Sequence, residues 1–256
     1  MAEPEQSNER HEPPEVPLRG LRIMRIAGID VFVNRTWLII FALVTWSLAE
    51  GYFPAVLPHQ GPGIHWGLGA LAAVLLFACV LAHELTHSLI AIRKGLHISG
   101  ITLFLFGGVS NLAEAPKDPG AEFQIAISGP MSSFALAVFF YGLYLAVPGP
   151  AALLAVLGYL VIVNALLGIF NIIPGFPLDG GRALRAILWW KTENLKRSTL
   201  MATTAGVVVG WLIVLLGLAR FAFGDPIGGV WFVVVGLFLK SAATYSAERA
   251  ERGEDV

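Results

Sequence analysis

The 256-residue chain is poor in charge: 14% of it is Asp, Glu, Lys or Arg, against about 25% in an ordinary soluble domain. With 56% hydrophobic residues and a mean hydropathy of +0.71, the composition does not suit a water-soluble globule. Cysteine is nearly missing. Cys79 alone excludes an intramolecular disulfide and a cysteine-built zinc module, and its apolar surroundings read as those of a small buried thiol. An excess of charge of one sign is also missing. The 17 basic and 18 acidic residues leave a net charge of −1, which gives no basis for a nucleic-acid partner. The opening MAEPEQSNERHEPPEVPLRG has neither the basic start nor the apolar core of a cleavable signal peptide. Residues 1–20 are expected to form a disordered, acidic, proline-rich tail, with His11 inert inside it.

Long apolar runs fill the rest. Phe123 to Leu178 is 56 residues without an ionised side chain, and Gly51 to His83 gives 33 more. Each is long enough for at least one bilayer-spanning helix of about 20 residues. Apolar stretches at Trp37–Leu57, Gly67–Ile92, Phe123–Val147, Ala151–Ile173, Thr199–Phe223 and Ile227–Tyr245 predict six helices. The first is the weakest, because Glu50 and Pro54 interrupt it. The β-branched IMRIAGIDVFV (Ile23–Val33) predicts a strand pair ahead of the first span, and TLFLFGGV (Thr102–Val109) a further strand. The fold class is therefore an all-α integral membrane protein of about six transmembrane helices, with short β-strands at the cytoplasmic membrane edge. The expected membrane domain covers residues 21–246, and residues 247–256 form a polar C-terminal tail. Gly206 and Gly210 are spaced for close helix packing.

The basic residues give the orientation. Sixteen fall in the N-terminal segment, the second and fourth connections and the C-terminal end, whereas the three opposite connections hold only Arg220. This positive-inside asymmetry places both termini in the cytoplasm, in a multi-pass cell-membrane protein with an even number of spans.

Ionisable groups inside a bilayer cost about 2.5–3.5 kcal/mol each on insertion scales and mark function by default. The second helix carries three, His83, Glu84 and His87, which spell H-E-x-x-H. Residues four apart share a helix face, so both imidazoles can reach one metal ion at the Zn–N distance of about 2.0–2.1 Å. Glu84 cannot comfortably join them, but it can reach an open fourth position, where a general base would act on water. The bland alternative is an interhelical hydrogen-bond cluster. Zinc needs a third protein ligand. His59 and His65 fall in the outer connection, and His97 leads into an interfacial loop. Asp179 instead follows FNIIPGFPL, where Pro174 and Pro177 break the helix. Irregular backbone at membrane depth is tolerated where it is buried or lines a wet cavity. Asp179 thus reads either as the missing ligand or as a cap of the following helix.

HELTH in one apolar helix and NIIPGFPLDGGR after another, with LFLFGGVSNLAEAPKDPGAEFQIAISGPMSS between them, resemble the site-2 protease family of intramembrane zinc metalloproteases. The resemblance is to its compact six-helix bacterial and archaeal branch and covers about Ile29 to Trp190. It implies one Zn2+ per chain held by His83, His87 and Asp179, with Glu84 activating water. It implies that Asn171 positions substrate or stabilises an oxyanion, against the plainer reading of interhelical hydrogen bonding that is all Asn164 has. It also implies that the strand ending at Gly107 and Gly108 pairs with an unwound substrate, as a free strand edge can. ISGP, with Gly129 and Pro130, reads as packing. Neither a PDZ insertion nor a CBS pair is expected. The implied activity is endoproteolysis within or near transmembrane segments of membrane-protein substrates, as in regulated intramembrane proteolysis. The alternatives are a transition-metal transporter, whose polar groups should be spread across the membrane depth, and a catalytically silent metal-binding scaffold.

Overall fold

The computed structural model describes residues 20–104, 107–112 and 115–253, so all but the last residue of the tail expected over residues 1–20, and the chain end at 254–256, lie outside the described residues. A hairpin of β1 (Leu21–Ile26) and β2 (Ile29–Val33) turns at Ala27 and Gly28, both with positive φ. There follow α1 (Trp37–Ser47), a π-type turn (Leu48–Tyr52), α2 (Phe53–Val56) and α3 (Pro62–Arg93). A second hairpin, β3 (Ile98–Phe104) and β4 (Gly107–Leu112), precedes α4 (Pro119–Ala146), α5 (Ala151–Asn171), α6 (Asp179–Thr192), α7 (Leu195–Ala222) and α8 (Pro226–Glu251).

Among the described residues, six helical segments are long and apolar enough to cross a membrane: Trp37–Val56, α3, α4, α5, α7 and Gly228–Glu251. The interruption expected in the first span is real but does not end it. Pro54 has no N–H for the Glu50 carbonyl one turn earlier, and the helix widens over Leu48–Tyr52 before α2 continues it. Four helices, α3, α4, α7 and α8, begin earlier or end later than their apolar runs. Pro62, Pro119 and Pro226 lie in first helical turns, where a missing N–H is harmless. The carboxylates of Asp118 and Asp225 accept from the Ala121 and Gly228 N–H groups at 2.8 and 2.9 Å and cap α4 and α8. The last helix reaches Glu251, inside the segment expected to be a tail.

The two hairpins join through a parallel β2–β3 pair into one four-stranded sheet, β1-β2-β3-β4, with β1 and β4 at its edges. Ile29, Ile101 and Leu103 of the sheet pack on Val80, Leu81, Leu85 and Leu89 of α3. The sheet therefore rests on the stretch of α3 that carries H-E-x-x-H. A separate core of Leu48, Phe53, Ala72, Cys79, Val156 and Leu160 ties the first span, α3 and α5 together, with Cys79 buried as a plain thiol. Large side chains such as Val138 and Leu215 face outward at 71% and 59% exposure, as the surface of a lipid-immersed bundle should.

The small-residue spacing in α7 has two uses. Gly210 approaches the Gly236 carbonyl of α8, where an added Cβ would lie 2.9 Å away, so these helices pack backbone to backbone. Gly206 instead faces the backbone of Phe176 in the irregular 172–178 segment. Phe176 itself is buried against Ala202 and Ala243, which fixes that segment on α7 and α8.

Candidate active site

His83 and His87 lie one turn apart on α3, each 3% exposed. Asp179 is the first residue of α6, and the residue in cap position is Leu178. Its carboxylate turns to the histidines, with Oδ2 3.0 Å from His83 Nε2 and 3.1 Å from His87 Nε2. The two Nε2 atoms are 3.2 Å apart. The capping alternative for Asp179 is thus replaced by contact with both imidazoles, across 92 and 96 residues of sequence.

Both rings are oriented from behind by α4. His87 Nδ1 donates to the Ile125 carbonyl at 2.6 Å, and His83 Nδ1 shares a hydrogen bond with Ser133 Oγ at 2.9 Å. Gly129 lies midway between those partners, and a Cβ there would stand 2.6 Å from His83 Nε2 and 2.5 Å from His87 Cε1. Ile125, Gly129 and Ser133 are spaced by four, so one face of α4 supplies an acceptor, a gap and a hydroxyl. The sequence reading took Gly129 for packing and did not single out Ser133 or Ile125. Outer partners of this kind set the tautomer and aim of histidine ligands.

The donor set fits zinc. A neutral His87 ring that gives its Nδ1 proton to a carbonyl has a lone pair at Nε2. That lone pair faces a carboxylate oxygen and another imidazole nitrogen, a buried convergence that calls for a cation. Tetrahedral zinc with bonds of about 2.0–2.1 Å separates its ligand atoms by about 3.3 Å, close to the 3.0–3.2 Å observed. Among the described residues, His83, His87 and Asp179 form the cluster of this kind, two nitrogens and one oxygen, which leaves a fourth position open.

Glu84, half-buried, points from the same turn of α3 toward the sheet. A Cβ on Gly108 would lie 2.5 Å from Glu84 Cγ and 3.3 Å from its Oε1, so the backbone of β4 passes against the carboxylate. Gly107 begins the same strand. Asn171 ends α5 and gives its amide to the Leu167 carbonyl at 3.0 Å; among the described residues no hydrogen bond joins it to the three-residue cluster. Asn164 is buried and bonds Leu160 in the same manner, at 2.8 Å. His65, expected in the outer connection, instead lies in the first turn of α3, which begins at Pro62, and bonds the Leu57 carbonyl at 3.0 Å, away from the cluster.

The family model described as "Peptidase family M50" matches residues 71–153 and 149–216. Rip3 of Mycobacterium tuberculosis, named as a candidate zinc metalloprotease, is 44% identical over 228 residues, covering 86% of this chain and 56% of Rip3. The similarly named sll0528 of Synechocystis is 39% identical over 240 residues, covering 93% of this chain and 62% of its own. The chain therefore spans little more than half the length of these relatives. The solved site-2 protease from Methanocaldococcus jannaschii superposes with a TM-score of 0.61 at 31% identity, covering 89% of this chain and 95% of that one. The chain is a multi-pass membrane protein in contact with the lipid bilayer, and it belongs to peptidase family M50, with the fold of a site-2 protease.

Proposed function

We propose that this chain is an intramembrane zinc metalloendopeptidase that hydrolyses peptide bonds within or near transmembrane segments of membrane-protein substrates, in regulated intramembrane proteolysis. The observation that carries this reading is the meeting of His83, His87 and Asp179 beside Glu84 on a span that is otherwise free of charge until Arg93. His83, His87 and Asp179 would hold a zinc ion, which when bound would supply Lewis-acid polarisation of the scissile carbonyl and make water more acidic. Glu84 takes the proton from the attacking water and delivers it to the departing amide nitrogen. The α4 face holds both imidazoles with Nε2 forward throughout, so the ligand set does not have to reorganise during the reaction.

A helical peptide bond is shielded by its own turn, so the substrate must be extended at the point of cleavage. The outer edge of β4, which runs past Glu84 at Gly108, suits main-chain pairing with such a segment. Gly107 and Gly108 are assigned to that edge. Asn171 is assigned to substrate or oxyanion contact, which requires its amide to leave the Leu167 carbonyl. The sixteen-to-one bias of basic residues supports a cell-membrane protein with both termini cytoplasmic.

Glu84→Gln tests the reading. Purified protein carrying it should retain zinc and lose cleavage of a membrane-embedded substrate by about 10²–10⁴-fold. Robust residual cleavage removes Glu84 from the role. In cells, comparative membrane proteomics of intact and Glu84→Gln strains should reveal a single-span protein that accumulates uncut. Metal flux across sealed liposomes that survives Glu84→Gln would favour the transporter instead.

A further inference from the structure

Asp179 raises a question of placement that the membrane spans do not answer. It opens α6, a helix that is not among the six spans, and it follows an irregular segment containing Pro174 and Pro177. Crossing the bilayer therefore does not fix its distance from α3. Contacts made by α6 must do so.

One such contact is a buried ion pair that the hydrolytic chemistry does not use. Arg185 of α6 is 3% exposed and Glu122 of α4 is 0% exposed. Arg185 Nε donates to Glu122 Oε1 at 2.6 Å, and its Nη2 contacts the same oxygen. Glu122 Oε2 has no hydrogen-bond partner among the described residues, so this carboxylate depends on Arg185. The guanidinium also lies over the Phe176 ring, 5.0 Å from its centroid, and so grips the segment that leads into Asp179. At its other end, Glu122 sits one turn before Ile125, whose carbonyl orients His87. Burial draws the Arg185 pKa below its ordinary value, with Glu122 opposing the shift.

We propose that Glu122 and Arg185 are positioning residues that set the register of the Asp179-bearing helix against the helix that orients His83 and His87. The proposal rests on the reading that those three side chains hold zinc. A buried charge pair is a poor way to gain stability, since apolar side chains of similar size often serve as well or better. Its particular property is directional: the two heads meet at one sliding position of α6 along α4, and an apolar contact tolerates several. Here that position is also referred to Phe176, so one guanidinium fixes the helix and its entry together.

The test uses the full chain purified in detergent. Zinc affinity is measured by competition with a chelator, the visible absorption of bound Co2+ reports coordination geometry, and circular dichroism reports folding. The double variant Glu122→Met/Arg185→Met removes both charges at similar volume. It should keep native helicity yet bind zinc about 10–100-fold more weakly, the range found for outer-shell partners of metal ligands, with an altered Co2+ spectrum. Arg185→Lys, which keeps a charge opposite Glu122, should recover part of that loss. A folded double variant with unchanged zinc affinity and Co2+ spectrum overturns the proposal and leaves the pair a purely structural contact. Should the double variant not fold, the reversed pair Glu122→Arg/Arg185→Glu takes its place. Recovered zinc binding supports the proposal, whereas a folded reversal that binds no better than Asp179→Ala overturns it. Absence of zinc binding by the unaltered chain would instead sink the metal-site reading itself.

Discussion

Gly129→Ala is a one-carbon change whose effect can be worked from distances. The new Cβ would stand 2.6 Å from His83 Nε2 and press on the His87 ring, against ordinary van der Waals contact beginning near 3.4 Å. The His83 nitrogen must therefore retreat by about 0.8 Å, or α4 must back away and take Ile125 and Ser133 with it. Metal–ligand distances tolerate deviations of only about 0.2 Å, and misplacement by about 1 Å commonly costs about 10²-fold in rate. Gly129→Ala should thus lower cleavage of a membrane-embedded substrate by about 10²-fold and release zinc. Gly142→Ala is the control, on the same helix with no atom within 4 Å of the added Cβ; it should leave both unchanged. Zinc per chain by elemental analysis, followed by cleavage in proteoliposomes, reads the difference. Gly129→Ala protein that matches the unaltered chain in both would refute the packing of α4 on the imidazoles.

Other substitutions separate the parts of the site. Ser133→Ala removes the hydroxyl at His83 Nδ1 and should weaken zinc binding by about 10–100-fold; unchanged affinity in a chelator titration would take Ser133 out of the ligand-orienting set. Gly108→Ala drives a methyl into Glu84, 2.5 Å from Cγ and 3.1 Å from Cδ. Zinc should stay while kcat falls by about tenfold or more, and a normal kcat with this variant would mean that β4 and Glu84 are not packed as described.

The parts of this protein that were legible in its sequence are those that violate an expectation locally. His83, Glu84 and His87 stand out because a bilayer span has no solvent for them, and Asp179 because it ends 56 uncharged residues. The strands were legible as β-branched runs, although the second proved to be a hairpin and the join between hairpins a parallel pair. What supports the three clustered side chains was not legible. Ile125 acts through a carbonyl that every residue has, Gly129 through an atom it lacks, and Ser133 through a hydroxyl common in apolar helices. Glu122 and Arg185 lie 63 residues apart and look like ordinary loop charges until the fold buries them together. A helix after Asp179 was allowed for as something to cap but was given no range, because its charges were counted as a basic connection; it runs as α6 from Asp179 to Thr192. The early starts of α4 and α8 could have been read from Asp118-Pro119 and Asp225-Pro226, an N-cap followed by proline in the first turn.

X-ray absorption at the zinc edge, on the intact chain purified without chelators and on its Asp179→Ala variant, most directly tests whether His83, His87 and Asp179 form one metal centre. The unaltered chain should contain one zinc with two imidazole nitrogens and a carboxylate oxygen at about 2.0–2.2 Å, and Asp179→Ala should lose the carboxylate shell or the metal. An unaltered chain that binds no zinc, or an Asp179→Ala spectrum identical to its parent, would contradict that assembly.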